Sequence, residues 1–266
     1  MKIFLKTEDE IQLMRSANQL VGRTLAELYK FVRPGITTLQ LDRIAEEFIR
    51  DNGAVPTFKN FPNPFGKPFP ASICTSVNNV VVHGIPDNLT ELCDGDVISI
   101  DCGTLFAGFN GDSCYTFRVG EVKPEVEQLL RVTKESLYKG IGQAVAGNHL
   151  GDISYAIQHH CEQYGYGVVR ELTGHGIGRQ MHEDPKIPNY GKRGNGVLLK
   201  EGMCLAIEPM ITLGDRHIGL LPDRWGIATV DGKPAAHYEH TIVVRKGKAE
   251  ILSSFDDIEH LERLEN

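Results

Sequence analysis

Ten residues ending at Asp101, LCDGDVISID, match ten ending at Glu208, LKEGMCLAIE, 107 positions later. QLMR at Gln12 matches QLLR at Gln128, and LDRIAEEFIRDNG ending at Gly53 lines up with ISYAIQHHCEQYG ending at Gly165. The matches keep the same order and similar spacing, which points to a duplicated unit. A duplication constrains the fold strongly: each unit must supply the same elements, and each can cover the other's apolar face. The expectation is an α/β (α+β) chain of 266 residues forming a single domain. Its halves, roughly 1–120 and 121–266, would be related by a pseudo-twofold axis, with antiparallel sheets sharing one core beneath helices.

Periodicity supplies the elements of each unit. Ile11, Met14, Leu20, Val21, Leu25, Leu28 and Tyr29 recur at helical spacing until Arg33-Pro34-Gly35 interrupts them. A cap at Thr38 predicts a second helix, with Leu41, Ile44, Ala45, Phe48 and Ile49 as its stripe and Asn52-Gly53 as its stop. Residues 125–145 and 153–164 read as helices of the second half. Strand-like runs cover 73–77, 80–82, 96–102, 109–119, 202–208 and 236–244, with a weaker one at Ile211. Between 54 and 70, Pro56, Pro62, Pro64, Pro68 and Pro70 forbid an ordinary helix or central strand. Phe58, Phe61, Phe65 and Phe69 in that stretch are too apolar to leave in water, so they should pack on the body or line a pocket.

The net charge is -7 and no basic run occurs, which argues against a nucleic-acid surface. The N-terminal residues lack a signal-peptide pattern, and no apolar run approaches the roughly 18 residues of a membrane span. The six cysteines form no C-x-x-C pair, so they read as reduced, mostly buried thiols of a cytoplasmic protein. A structural zinc cluster is not expected.

Four acids stand at the ends of apolar strands. Asp101 ends DVISID, Asp112 lies on the next run, Glu208 follows CLAI, and Glu239 precedes HTIVV. A hairpin centred between Phe106 and Ala107 puts Asp101 directly opposite Asp112, about 4.5–5.5 Å apart at the backbone. Two carboxylates that close repel unless a shared proton or a metal cation intervenes. His175, in TGHGIGRQMHEDP, adds an imidazole. Its glycines would let the backbone approach a ligand closely. An oxygen-rich set with one histidine suits manganese, iron, cobalt or zinc. Five side chains exceed the needs of one catalytic ion and suit two ions about 3.5–4 Å apart, which can bind a hydroxide between them and polarise a carbonyl.

HGIP at 83–86, GDVISIDCG at 95–103, GFNGDS at 108–113, TGHGIGRQMHEDP at 173–185, AIEPM at 206–210 and YEHTIVV at 238–244 together resemble methionine aminopeptidase, type I. The likeness runs nearly the whole chain, in order. It implies the pita-bread fold, whose internal pseudo-twofold symmetry agrees with the repeat. It implies two divalent metal ions held by Asp101, Asp112, His175, Glu208 and Glu239, with Asp112 and Glu239 bridging and Asp101 chelating one ion. The implied activity is removal of the initiator methionine from nascent peptide N-termini when the second residue is small, by attack of a metal-bridging hydroxide. His83 and His182 would contact the substrate backbone and the tetrahedral intermediate, and Glu208 would also act as general base. Family position places Phe58, Phe61, Phe69, Cys74 and Trp225 around the methionine side chain. The loop at 62–68 is longer than the usual pattern, and Met181 stands where an aromatic is common. A cytoplasmic monomer with transient ribosome contact is implied, with no membrane or nucleic-acid specificity. The competing readings are a proline-directed peptidase of the same fold (prolidase or aminopeptidase P type) and a non-catalytic peptide-binding relative. The proline-directed enzymes generally carry a sizeable extra N-terminal domain, and only about 80 residues precede His83.

Overall fold

Two helices followed by strands occur twice along the chain. The computed structural model describes residues 2–64 and 66–265. The first half holds α1 (Glu8–Tyr29), α2 (Thr38–Asp51), β1 (Val55–Pro56), β2 (Ile73–Val77), β3 (Val80–Val82), β4 (Val97–Phe106) and β5 (Phe109–Arg118). The second begins with α3 (Pro124–Ile141) and α4 (Leu150–Glu162). Its strands are β6 (Gly167–Val168), β7 (Thr173–Gly176), β8 (Glu183–Pro188), β9 (Cys204–Ile207), β10 (Met210–Thr212), β11 (Ile218–Leu220), β12 (Ile227–Thr229), β13 (Ala235–His237), β14 (His240–Val243) and β15 (Glu250–Ile251); α5 (Asp256–Glu265) follows. No described helix is long and apolar enough to cross a membrane.

The helices form where caps and stripes agree. Thr7 and Glu10 close a capping box ahead of α1, whose Ile11, Met14, Leu20, Val21, Leu25 and Leu28 are buried. The α2 cap is Thr37, boxed with Gln40, one residue before the expected Thr38. The Thr38 hydroxyl instead donates to the Asp87 carbonyl and accepts from the Asp87 amide, tying the helix to the loop before β4. In the second half α3 stops at Ile141, short of the expected 145, with Gly142 as its cap. Helix α4 starts three residues early because Asp152 accepts from the His149 amide and closes its first turn.

Strand β4 organises the first sheet, pairing with β1 and β2 on one side and β5 on the other. The second half contributes a five-stranded sheet in the order β15-β14-β9-β7-β8. The two meet at a seam. The Glu239 amide donates to the Cys114 carbonyl at 2.9 Å. Ser113 Oγ donates to the Glu239 carbonyl at 2.6 Å, and Thr241 Oγ1 to the Asp112 carbonyl at 2.9 Å. A continuous core crosses the seam, with Leu25, Ile100, Phe117, Leu137, Ile153, Ile207 and Ile242 buried in one cluster. Each such side chain contributes about 1.5–3 kcal/mol through loss of apolar surface to water.

Two expectations about the strands are corrected. The β4–β5 hairpin turns at Ala107-Gly108, both with positive φ (49° and 81°), so Phe106 pairs with Phe109. Asp101 therefore faces Cys114, and Asp112 faces Gly103. The two acids share a face of the sheet as diagonal rather than direct neighbours, a spacing nearer 7–8 Å at the backbone. The run at 236–244 is two strands, because β13 pairs with β10 and β14 with β9. Tyr238 and Glu239 make the step between them.

Among the described residues of the proline-rich stretch, only Val55–Pro56 pairs as a strand. Two backbone bonds tie its ends together, Asn60 N donating to Phe69 O and Phe69 N to Phe61 O. Phe69 is buried, Phe58 and Phe61 pack beside it, and Phe65 lies outside the described residues.

Candidate active site

The seam gathers acids from four elements. Asp101 comes from β4, Asp112 from β5, Glu208 from the residue after β9, and Glu239 from the β13–β14 step. His175 comes from β7, paired directly with β9. Its Nδ1–H donates to the Gly176 carbonyl at 2.9 Å, which turns Nε2 toward the carboxylates. Nε2 lies 3.5 Å from Asp112 Oδ2 and 3.7 Å from Glu208 Oε1. Asp112, His175 and Glu239 each offer a ligand atom within 4.8 Å of the others'.

The glycines around His175 serve close packing rather than flexibility. A Cβ at Gly174 would lie 2.4 Å from the Ala206 carbonyl oxygen, and one at Gly176 would lie 2.2 Å from that of Asp184. The strand ends at Gly176, so strand alternation stops there and His182 can return on a turn to the same side. The His175 and His182 rings stand 4.4 Å apart, edge to face.

Charge here is badly balanced within the protein itself. Four carboxylates meet the His175 and His237 imidazoles, which carry charge only when protonated. Asp101 Oδ1, Asp112 Oδ1 and Glu239 Oε1 are buried without a hydrogen-bond partner. Burial raises the pKa of Asp101, Asp112 and Glu239; neighbouring carboxylates raise Asp101 and Glu239 further, while His175 offsets part of the rise at Asp112. Burial pulls His175 down, but Asp112 and Glu208 more than offset this and raise it. Orphaned carboxylate oxygens around the His175 imidazole are a donor set that fits hard or borderline divalent cations. The residues present fit the metal centre that the acids suggested.

Two more histidines flank the acids. His83 follows β3 with φ +59°, a left-handed conformation that is strained for a side chain of this size. Burial lowers its pKa. His182 is lowered to about 4, first by burial and then by neighbouring His175, so it is neutral near pH 7.

A cavity of about 160 Å³ touches all of these groups. Its wall comprises Asp101, Asp112, His175, Glu208, Glu239, His83 and His182, together with Phe58, Phe61, Phe69, Cys74 and Trp225. Buried Phe69 and Cys74 belong to its apolar part. Lys67 and Asn63 are fastened over this end: Trp225 Nε1 donates to Lys67 O at 3.0 Å, and Asn63 Nδ2 to Arg224 O at 3.1 Å. Met181 is buried but does not line the cavity; it packs beside Phe58 against Gly103. A larger cavity of about 510 Å³ shares His83, His175, His182 and Glu208 with the small one and extends past Leu172, Lys186 and Phe4.

Three residues at the site were not read from the sequence. His237 Nε2 lies 3.4 Å from Glu208 Oε2. His237 is the last residue of β13, two before Glu239 in the step to β14. Asn189 Nδ2 donates to the Glu208 carbonyl at 2.8 Å, and Asn18 Oδ1 accepts from the Asp112 amide at 3.1 Å. Nothing local marks either asparagine.

Comparison with known proteins agrees with this geometry. Residues 12–246 match the sequence profile of metallopeptidase family M24. The chain belongs to that family of metallopeptidases. Its relatives include a methionine aminopeptidase of Clostridium acetobutylicum, 49% identical over 251 residues that cover 94% of this chain and 98% of the relative. Among solved structures, methionine aminopeptidase from Rickettsia prowazekii superposes with a TM-score of 0.91 at 41% identity, covering 95% of this chain and all of that one. These neighbours carry the pita-bread fold expected from the sequence. A prolidase from Pyrococcus furiosus shares the fold at a TM-score of 0.76 but only 20% identity, and the match spans 65% of its length.

Proposed function

We propose that the protein is a methionine aminopeptidase that removes the first residue of nascent peptides when the second is small. The observation that carries this is one small cavity with an apolar wall at one side and five candidate metal ligands at the other. At about 160 Å³ it is smaller than the 300–1,000 Å³ of ordinary ligand sites. It suits one unbranched side chain rather than a longer segment. The larger cavity beyond His83 and His182 leaves room for the chain that follows. Nearly full-length relatives with this activity support the reading over the proline-directed one.

Asp101, Asp112, His175, Glu208 and Glu239 would hold two divalent ions, cobalt, manganese, iron or zinc. Such ions supply Lewis-acid polarisation and a water that ionises near neutral pH. Glu208 would serve as the general base, accepting the proton of the attacking water. Neutral His182 would donate a hydrogen bond to the oxyanion as it develops, and His83 would hold the substrate backbone. Phe58, Phe61, Phe69, Cys74 and Trp225 enclose the methionine side chain and exclude water. The protein would work as a cytoplasmic monomer with transient access to the ribosome, where such chain ends emerge.

Hydrolysis of Met-Ala-Ser against Ala-Pro by cobalt- or manganese-loaded protein tests the reading. Release of methionine from the first, with the second left intact, is expected. The opposite preference would favour the proline-directed reading, and inertness on every methionyl peptide would favour a binding-only relative.

A further inference from the structure

The turn that carries His182 lies between two anchors, one on each side. On one side β5 holds it: Asn110 N donates to Gly178 O at 2.8 Å, and Asn110 Nδ2 donates to Gly178 O and Arg179 O at 3.1 Å each. On the other side lies the segment ahead of α1. Lys6 Nζ meets Glu183 Oε2 at 2.5 Å, with both side chains about 95% buried (5% and 6% exposed). The other oxygen of Glu183, Oε1, accepts from the Gln180 amide at 3.3 Å and so closes the turn on which His182 stands. The segment is itself fixed. Lys6 N donates to Gly202 O at 2.8 Å, Leu5 bridges to Met203, and Lys2 N donates to Asp184 Oδ2 at 2.9 Å.

A buried ion pair is a poor way to gain stability, because the cost of removing two charges from water rivals their attraction. An apolar pair would pack this spot as well. What the ion pair adds is direction, since both Glu183 oxygens are engaged, Oε2 by Lys6 and Oε1 by the Gln180 amide. Gly178 enforces the same fit, since a Cβ there would lie 2.4 Å from Lys6 Cε and 2.6 Å from Glu183 Oε1.

We propose that Lys6 is a positioning residue for catalysis: through Glu183 it fixes the turn that aims His182 at the reacting carbonyl. Its ammonium does not touch substrate. This rests on the role proposed above for His182. A misplacement of about 1 Å at such a group can cost as much as 100-fold in rate. Lys6→Met should therefore lower kcat by roughly 10- to 100-fold, with KM and bound metal unchanged.

The test is a double-mutant cycle on the metal-loaded enzyme, paired with amide exchange on the metal-free protein. If Lys6 acts through His182, adding Lys6→Met to His182→Ala costs little further activity. Exchange across 177–184 should quicken in Lys6→Met while that across 240–243 holds. If Lys6→Met does not fold, Gly178→Ala displaces the pair without stranding a charge, and the same cycle applies to it. Losses that add fully to His182→Ala, or unchanged turnover, would overturn the inference. If His182→Ala alone leaves kcat unchanged, the failure belongs to the reading of His182 instead.

Discussion

His182 is neutral near pH 7 because burial and the neighbouring His175 ring disfavour its cation. A neutral imidazole can donate one hydrogen bond without competing for the metal ligands. Replacing it with alanine should cost about 10²–10³ in kcat, the usual effect of losing one oxyanion donor. Metal uptake should stay at the wild-type level; steady-state kinetics beside a metal titration would check both. His240 gives a different forecast. It is buried, its Nδ1 is 2.7 Å from Ser253 Oγ, and its ring stacks on Phe255. Burial lowers its pKa to about 3. The unfolded chain, with histidine near 6.5, binds the proton first, so this residue makes the fold less stable as pH falls from about 6.5 toward 3. The loss approaches about 1.4 kcal/mol per pH unit over that range. Urea unfolding at pH 7 and pH 5 should show a smaller acid loss in His240→Phe than in wild type; equal losses would contradict the assignment. At this scale the sequence was most legible. Acids after apolar strands and a histidine among glycines carry local signals, whereas Asn18 and Asn189 take their importance from partners far away in the chain.

Elements were legible where one local rule governed them and shifted where a partner intervened. The stripes of α1 and α2 fixed which faces are buried, but the tie between Thr38 and Asp87 moved the α2 cap by one residue. The β4–β5 register turned on which two residues form the turn, a choice that strand patterning alone leaves open. Ala107 holds φ +49° in an exposed two-residue turn before Gly108. A left-handed alanine costs roughly 1–2 kcal/mol. Asparagine tolerates that conformation, and Asn-Gly is the favoured pair for such turns. Ala107→Asn should raise the unfolding free energy by about 0.5–1 kcal/mol, read as a shift in denaturant midpoint. A decrease would contradict the turn. The break at Tyr238 and Glu239 carries no glycine or proline to announce it, and only the change of pairing partner marks it.

At the scale of the whole molecule, we propose a duplication whose parts need each other. Helices and strands recur in the same order, and the buried cluster runs from Leu25 through Phe117 to Ile207 and Ile242 without stopping at the seam. We propose that the halves, 1–120 and 121–266, fold as one cooperative domain. Expressed separately, each half should lack native near-ultraviolet dichroism, while the full chain unfolds in a single transition. A stable isolated half would contradict this. The repeat made the pairing of Asp101 with Glu208 legible. It did not reveal that Glu239 and Asp112 would meet through hydrogen bonds between β5 and the β13–β14 step.

The most direct test of the account is the number of divalent ions the acids hold. Equilibrium dialysis of chelator-stripped protein against manganese or cobalt should give two ions per chain at neutral pH. Uptake should fall as pH drops, because protons compete for the same carboxylates. Asp112→Asn should lose most of it. Uptake of no ions, or uptake untouched by Asp112→Asn, would contradict the claim that these acids exist to hold metal.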